Sequence, residues 1–355
     1  MREFKLGEHT IGSGRTYFIA DIAANHDGDI NRAKRLIELA VGAGADAVKF
    51  QHHDVTKYVS DYGFRNLGGK FSHQSSWSKS IFEVYKDAEV PLSWTEELKS
   101  FCDDRGITFF STPYDLDMVD YLDKFVPAFK IGSGDVNWLK MLEKVSQKSK
   151  PIMVATGASN IAEVQAAVKT VKKHNQNLVL MQCNTNYTAE RENFKYIHLN
   201  VLDTYRSMFP DAVLGLSDHT LGHVTVLGAV AKGAQVIEKH FTDDTTRPGP
   251  DHPFSMDPET WRAMVDDTRL LEKSLGHGTK EVQDNEKETV VLQRRSIRVT
   301  EAVEPGTVLS EDLFEYQRPC PADAISINDA TQMLGKTVIK SIDSGDYLRK
   351  EHFKW

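Results

Sequence analysis

The stretch AVLGLSDHTLGHVTVLGAVAKGAQVIEKHFT, residues 212–242, contains two apolar runs separated by a segment long enough for a helix. Parallel strands need a crossover of about a dozen residues, so this pattern predicts two neighbouring parallel strands, 212–218 and 236–242. His219 and His240 stand at matching points of these strands. Strand spacing then places both imidazoles at one end of the sheet, where they could hold a metal.

The same alternation of short apolar runs and amphipathic segments extends back to residue 17. The predicted strands are 17–25, 47–51, 107–112, 128–134, 151–157, 178–184, 212–218 and 236–242. Eight such units predict an α/β fold of the (β/α)8 TIM-barrel type. An open doubly wound sheet usually has fewer strands, and the first turn has no GxGxxG motif. Polar residues gather at the carboxyl ends of these strands, where barrel enzymes have their active sites.

The rhythm stops after Gly278, which predicts a catalytic barrel over 1–278, a charged linker over 279–293 and a small β-rich domain over 294–355. In the last part, EAVEPGTVLSEDLF (301–314) is repeated as KSIDSGDYLRKEHF (340–353), 39 residues later. A domain of this size is marginally stable alone, and we expect it to pack on another surface, such as a partner's barrel.

Composition excludes several classes of protein. The net charge of -8 argues against a nucleic-acid or membrane-surface binder, and no apolar run approaches the length of a membrane span. Three widely spaced cysteines, Cys102, Cys183 and Cys320, favour reduced thiols over a disulfide framework. We therefore expect a cytoplasmic protein.

Two lysines, Lys49 and Lys130, interrupt apolar strands, where an unpaired ammonium is costly to bury. One interpretation is a pocket for a phosphate or carboxylate, because such anions need charge and several short donors. The donors at neighbouring strand ends are Thr112, Ser133 and Ser217. The structural alternative is that each lysine pairs with a carboxylate such as Glu238.

The histidines and loops of the same face allow further predictions. His219 and His240, with water and substrate oxygens, suit a divalent cation that has open positions for Lewis-acid work, although either alone would be read as a hydrogen-bonded strand-end residue. The pair at 52–53 could face substrate or be ordinary loop residues. Asp27 and Gly28 are predicted to form a turn. The loop 245–252, rich in Pro and Gly, is expected to hold Arg247 and Asp251 over the barrel mouth.

Several longer motifs carry a resemblance to a known family. They are IAANHDGDINRAKRLIELAVGAGADAVKFQ (22–51), FFSTPYD (109–115), FKIGSGD (129–135), GLSDHTLG (215–222), VIEKHFTDDTTRPGPDHPFSM (236–256) and YQRPCPADAIS (316–326). With these motifs the chain resembles, nearly end to end, the sialic acid synthases, which use phosphoenolpyruvate to make nine-carbon 2-keto-3-deoxy sugar acids. The resemblance implies a barrel followed by a small antifreeze-like (SAF) domain, exchanged over the partner's barrel mouth in a homodimer.

The resemblance also implies roles for individual residues. Manganese, or another divalent cation such as magnesium or cobalt, would be held by His219 and His240. The residues implied to bind phosphoenolpyruvate are Lys49, Thr112, Lys130, Ser133 and Ser217. Catalytic carboxylates would be Asp21, Glu238 and Asp251. Further substrate contacts are expected from Gln51, Asp135, Tyr187 and the partner's Arg318. The metal would polarise the aldehyde of an open-chain aldose, which C3 of phosphoenolpyruvate attacks.

The chain departs from the family pattern mainly on the acceptor side. The family usually has Glu at the position of Asp21 and often has Glu at that of Asp135. Ala155 replaces a Ser, Thr188 replaces a Pro, and the loop 320–324 replaces a Gly-rich segment. The acceptor therefore stays open among N-acetylmannosamine, a diamino sugar and an unmodified aldose. Two other functions also remain open: a metal-dependent aldolase or hydrolase, and a sugar-binding or regulatory protein without catalysis.

Overall fold

The computed structural model describes residues 3–67, 74, 77 and 79–354 of the chain. It contains two compact units, Met1–Gly276 and His277–Trp355. The first unit begins with a hairpin, β1 (Phe4–Leu6) and β2 (His9–Ile11), and continues with eight parallel strands. These strands are β3 (Tyr17–Asp21), β4 (Ala47–His52), β5 (Thr108–Pro113), β6 (Phe129–Ile131), β7 (Ile152–Ala155), β8 (Leu178–Cys183), β9 (Val213–Asp218) and β10 (Ala234–His240).

The eight strands form a nearly closed barrel. Hydrogen-bonded neighbours follow the order β5-β4-β3-β10-β9-β8-β7-β6, and the two end strands, β5 and β6, lie beside each other. The predicted barrel and all eight of its strands are confirmed. Because every neighbouring pair is parallel, the carboxyl ends of all strands open on one face of the barrel.

Helices connect successive strands of the barrel, and one more helix follows the last strand. They are α1 (Ile30–Gly42), α2 (Val55–Tyr58), α3 (Asp61–Asn66), α4 (Ile81–Asp87), α5 (Thr95–Asp104), α6 (Leu116–Leu122), α7 (Leu139–Ser146), α8 (Ile161–Lys172), α9 (Val201–Met208), α10 (Val224–Ala231) and α11 (Pro258–Leu275). Helix α1 is typical: the Asp29 carboxylate accepts from the N–H of Asn31 as its N-cap, and one helical face, with Ala33, Ile37 and Ala40, is buried. In the described part of the chain, none of the helices has both the length and the apolar character needed to cross a bilayer.

The N-terminal hairpin was absent from the sequence prediction. Phe4, Leu6 and Ile11 join a buried cluster with the inward-facing Tyr17 and Phe110, so the hairpin packs into the barrel interior at the amino ends of the strands. That end of the barrel is filled by apolar side chains. A ligand therefore has access to the interior from the opposite, polar end.

The second unit contains α12 (Lys287–Gln293), β11 (Ser296–Val299), β12 (Phe314–Gln317) and α13 (Ala330–Met333). Helix α12 falls within the segment predicted as a linker. The two copies of the sequence repeat occupy equivalent places: Val303 and Ile342 form an antiparallel bridge, and Gly306 and Gly345 both adopt positive φ angles, 96° and 79°. Both turns therefore use the backbone freedom of glycine.

Candidate active site

Strand register decides which side chains of β9 and β10 face the barrel interior. Glu238 lies opposite Ser217, and Lys239 lies opposite Asp218. Because side chains alternate along a strand, Glu238 and His240 point to one face and Lys239 to the other. Lys239 pairs with Asp218 at 2.5 Å, and Thr225 of α10 donates a hydrogen bond to the same carboxylate. The Asp of the GLSDHT motif thus connects the sheet to a helix and does not face the mouth.

Two buried lysines and two buried carboxylates form the centre of the mouth. Lys49 Nζ lies 2.6 Å from the Asp21 carboxylate and 3.8 Å from that of Glu238. Lys130 Nζ lies 2.9 Å from the same Glu238 oxygen. Burial disfavours the charge on Lys130, but the Glu238 and Asp21 carboxylates outweigh it and raise the lysine's pKa. The structural alternative foreseen for the lysines, pairing with Glu238, is therefore present, and Asp21 is a further partner.

Most of the predicted site residues line a cavity of about 270 Å³ above these pairs. They are Asp21, Gln51, Lys130, Ser133, Asp135, Tyr187, Ser217, His219, Glu238 and His240. Thr112 accepts a hydrogen bond from Lys49 at 3.4 Å. Cys183, which sequence reasoning left unassigned, also lines the cavity as the last residue of β8, opposite Ser217.

Two neutral imidazoles face each other at one side of the cavity. The ring centroids of His219 and His240 are 5.4 Å apart. Nδ1 of His219 donates to the backbone carbonyl of Asn184 at 3.0 Å, which leaves Nε2 with its lone pair. Burial lowers the pKa of His219 to about 4 and also lowers the pKa of His240 well below its usual value, so both rings are unprotonated at neutral pH, the form that binds metals.

The residues around the imidazoles fit an incomplete metal site. Asp21 lies 3.6 Å from His240 Nε2, and Asp251 lies 3.8 Å from His240 Nδ1, a buried atom that has no hydrogen-bond partner in the described part of the chain. No set of three or more His, Cys, Asp or Glu side chains with metal-ligand spacing occurs among the described residues. Two imidazoles with this spacing would need oxygen atoms of water or substrate to complete a coordination shell.

Asp251 comes from the loop after β10, as the sequence predicted. The backbone N–H of Ala24 donates to its carboxylate at 3.1 Å. Burial raises the pKa of Asp251 to about 7, and the charge of Asp21 acts in the same direction. Burial also raises the pKa of Asp135 to about 6. The mouth therefore combines carboxyl groups that can exchange protons near neutral pH.

Asp27 anchors the loop that carries Asp251. The backbone of Asp27 has φ 52°, as a turn requires, but its carboxylate also accepts from Arg247 Nη2 at 2.7 Å and from His252 Nε2 at 3.0 Å. Arg32 lies 3.0 Å from the same carboxylate. Although burial favours the neutral acid, the hydrogen bonds from His252 and Arg247 hold the pKa of Asp27 below its usual value. The predicted turn at Asp27 is present in the backbone, but the sequence did not indicate that the Asp27 side chain anchors the loop.

The two histidines after β4 have different surroundings. His52 is buried with its ring nitrogens 2.6 Å from Ser111 Oγ and 2.8 Å from Thr95 Oγ1, and it is structural. His53 lines a second chamber of about 130 Å³ next to the main cavity. Tyr58, Tyr85 and Tyr114 also line this chamber, and none of them was predicted. Only Tyr114 gave a usable signal, because it follows a predicted strand by two residues.

Arg318 belongs to the second unit. It is exposed, and its Nε donates to the backbone carbonyl of Gln293 at 2.6 Å. Its predicted contact with an acceptor in a partner's barrel stays a prediction.

Comparison with known proteins identifies a family for each part of the chain. The NeuB family model matches residues 36–280, and the SAF domain model matches residues 294–354. An uncharacterized protein of Methanocaldococcus jannaschii is 38% identical over 90% of this chain and 90% of its own length. The N,N'-diacetyllegionaminic acid synthase of Campylobacter jejuni is 33% identical over 95% of this chain and 99% of its own.

A solved structure is similar as well. The N-acetylneuraminic acid synthetase of Leptospira borgpetersenii, in complex with citrate, is 30% identical to this chain and superposes with a TM-score of 0.70. The alignment covers 81% of this chain and 95% of that one.

Proposed function

The chain belongs to the NeuB family of sialic-acid-type synthases, and from this premise we propose that it condenses phosphoenolpyruvate with an open-chain aldose. The products would be a 2-keto-3-deoxy sugar acid and phosphate. The observation that carries the proposal is that Lys130, His219 and His240 line one cavity. Asp21, which also lines this cavity, pairs with the second buried lysine, Lys49. An anionic donor and a carbonyl acceptor would meet there.

Charge balance supports a role for a divalent cation. Lys49 and Lys130 are matched by Asp21 and Glu238, so these four groups have no net positive charge to offer a phosphate and a carboxylate. A dication bound through His219 and His240 would add the missing charge. We propose manganese, or magnesium or cobalt in its place, which would act as a Lewis acid on the acceptor carbonyl.

The chain's own hydroxyls would orient the phosphate and carboxylate. Ser133 Oγ accepts the N–H of Gly157 at 2.9 Å, which leaves its own proton available to donate. Ser217 Oγ lies 3.5 Å from Glu238 and Thr112 Oγ1 lies 3.4 Å from Lys49, so both hydroxyls stand beside the charged groups. Short donors next to buried charge are suited to binding an oxyanion.

The carboxyl groups would move the protons of the reaction. Bond formation between C3 of phosphoenolpyruvate and the aldehyde carbon turns the aldehyde oxygen into a hydroxyl, which needs a proton. Asp251, whose pKa is raised to about 7 by burial, is a suitable donor. Water then adds to C2 and loses a proton, and Glu238 Oε2 is a candidate acceptor because it has no hydrogen-bond partner within the described residues. The bond between C2 and the phosphate oxygen then breaks, which releases phosphate and leaves the keto group at C2.

The small domain would complete the site from a partner subunit. In a homodimer with exchanged C-terminal domains, Arg318 would contact the acceptor's acyl group. We expect Arg318→Ala to raise the acceptor KM, and mixing it with a barrel-dead His240→Ala chain to restore activity in mixed dimers. Lack of restoration in dimers shown to be mixed would contradict a shared site.

The direct test is phosphate release from phosphoenolpyruvate with manganese and a panel of aldoses. The panel contains N-acetylmannosamine, mannose, arabinose and diacetamido-hexoses, with a chelated control. Release with one sugar that stops on chelation is the expected result. A sugar-binding protein without catalysis would bind a sugar and release no phosphate, and an aldolase would act without phosphoenolpyruvate.

A further inference from the structure

The segment after β3 and the loop after β10 meet at the carboxyl group of Asp251. The backbone N–H of Ala24 donates to the Asp251 carboxylate at 3.1 Å. The backbone carbonyl of Asp251 accepts from Ser255 Oγ at 2.7 Å, and Ser255 Oγ accepts from the side-chain amide of Asn25 at 2.9 Å. The position of Asp251 therefore depends on how these two segments are held together.

Arg32, in the first turn of α1, contacts both segments at once. Its Nε donates to the backbone carbonyl of Asn25 at 2.8 Å and lies 3.0 Å from the Asp27 carboxylate. Its Nη1 and Nη2 donate to the two carboxylate oxygens of Asp243, in the loop after β10, at 2.9 and 2.5 Å. The Arg32 side chain is only 12% exposed. Because a guanidinium is planar and its donors have fixed directions, these bonds set the relative position of the two segments.

The charges behind the loop balance only when Arg32 is present. Asp27 and Asp243 supply two carboxylates, and Arg32 and Arg247 supply two guanidinium groups. Among the described residues, only Arg32 forms an ion pair with Asp243. Although burial favours the neutral acid, the hydrogen bonds from Arg32 hold the pKa of Asp243 below its usual value. Without Arg32, two carboxylates would share one guanidinium and repel each other, which would separate the segments that carry them.

Arg32 and its two carboxylate partners lie behind the mouth of the barrel. None of the three residues lines the main cavity or the second chamber. A substitution of Arg32 therefore leaves the surfaces that a substrate contacts unchanged. Its effect on a reaction in the cavity would pass through the position of Asp251.

We propose that Arg32 is a positioning residue, which holds the Asp251 carboxyl in place for proton transfer by joining the segment after β3 to the loop after β10. The proposal rests on the proposed condensation for the role of Asp251 as proton donor. The joining of the two segments is a property of the folded chain, and it is measurable without turnover.

Kinetics of phosphate release test the positioning role. Arg32→Met removes the charge and the hydrogen bonds, and it is expected to lower kcat about 10- to 100-fold, with little change in the KM for phosphoenolpyruvate or in manganese binding. Arg32→Lys keeps the charge without the planar fork and should give an intermediate kcat. Arg35→Met is the matched control, because Arg35 is exposed on the same helix and pairs only with Glu38 of that helix among the described residues. Equal losses of kcat, phosphoenolpyruvate affinity and manganese binding would indicate general damage and overturn the positioning role.

A double variant tests whether Arg32 acts through Asp243. Adding Asp243→Asn to Arg32→Met removes the repulsion between the two carboxylates. We therefore expect the double variant to be no slower than Arg32→Met alone. Losses that multiply in the double variant would contradict action through this pair.

Hydrogen exchange measured by mass spectrometry reports the joining of the segments without turnover. Peptides covering 22–28 and 243–256 should exchange faster in Arg32→Met than in the native chain, and at the native rate in Arg35→Met. If Arg32→Met does not fold, Arg32→Lys takes its place in each measurement. Equal exchange in all the proteins, or faster exchange with native kcat, overturns the proposal. Faster exchange in a chain whose native form releases no phosphate with any sugar would leave the joining role of Arg32 standing and contradict the proposed condensation.

Discussion

Replacing Glu238 by Gln should reveal whether Lys130, which pairs with the Glu238 carboxylate in the free protein, also binds the anionic substrate. Lys130 is 8% exposed and lies 2.9 Å from Glu238, and the Coulomb energy of such a pair is about 6 kcal/mol at an effective dielectric constant of about 20. Removing one member of a buried pair typically costs about 3–5 kcal/mol, because the remaining charge is uncompensated. We expect a loss in this range and a lower pKa for Lys130.

The assay is urea unfolding with and without phosphoenolpyruvate. An anion that binds the folded state stabilises it by mass action, and it should do so more strongly where it also neutralises an unpaired lysine. The gain in unfolding midpoint should therefore be larger for Glu238→Gln than for the native chain. The variant should also fail to release phosphate, since Glu238 Oε2 is the proposed proton acceptor.

Asp218→Asn provides the matched control. Asp218 and Lys239 form a similarly buried pair between β9 and β10, but Asp218 receives hydrogen bonds from Thr220 and Thr225 and neither member of the pair lines the cavity. We expect a comparable loss of stability and no extra gain from phosphoenolpyruvate. Equal gains in both variants would refute the idea that the anion meets Lys130.

Three further outcomes follow from the site. His219→Ala or His240→Ala should abolish turnover and weaken manganese binding, measured by electron paramagnetic resonance, with unchanged circular dichroism; full activity in either variant would contradict the metal assignment. Asp27→Asn should lower kcat by loosening the 245–252 loop, while phosphoenolpyruvate affinity measured by calorimetry stays the same; equal losses of both would indicate general damage. The pKa of Asp135, about 6 in the folded state, lies above its ordinary value, so its contribution to stability is present at low pH and is lost as pH rises through 6. If the ionised form binds the acceptor, KM should rise below pH 6 and this rise should disappear in Asp135→Asn.

The barrel was predictable because its signal repeats. Eight apolar runs with crossover-length spacing allow few topologies, and all eight strands were found where the pattern placed them. The hairpin of β1 and β2 was missed because strands of three residues carry no measurable alternation. Helix α12 was missed because a charged segment with little apolar periodicity reads as a linker.

The site was only partly predictable, because its partnerships join distant segments. The sequence indicated that Lys49 and Lys130 need anionic partners. The pairing of Lys49 with Asp21 depends on the register of two neighbouring strands, and that of Lys130 with Glu238 depends on side-chain reach across the barrel. The residues of the second chamber were missed because they are also distant from one another in the sequence. Tyr58, Tyr85 and Tyr114 come from three separate segments, and each alone is an ordinary loop or helix residue.

The alternation of side chains along a strand explains why two buried lysines, Lys49 and Lys239, have different surroundings. His240, Asp21 and Lys49 lie opposite one another on the neighbouring strands β10, β3 and β4, so the three side chains lie at one level of the barrel. Lys239 precedes His240 by one residue, and alternation turns it toward α10, where Asp218 neutralises it. A slip of β10 by one residue would place a lysine between Asp21 and the imidazole of His219 and remove His240 from the cavity. The proposed metal site therefore depends on the register of a single strand, β10, which the buried Lys239–Asp218 pair helps to fix.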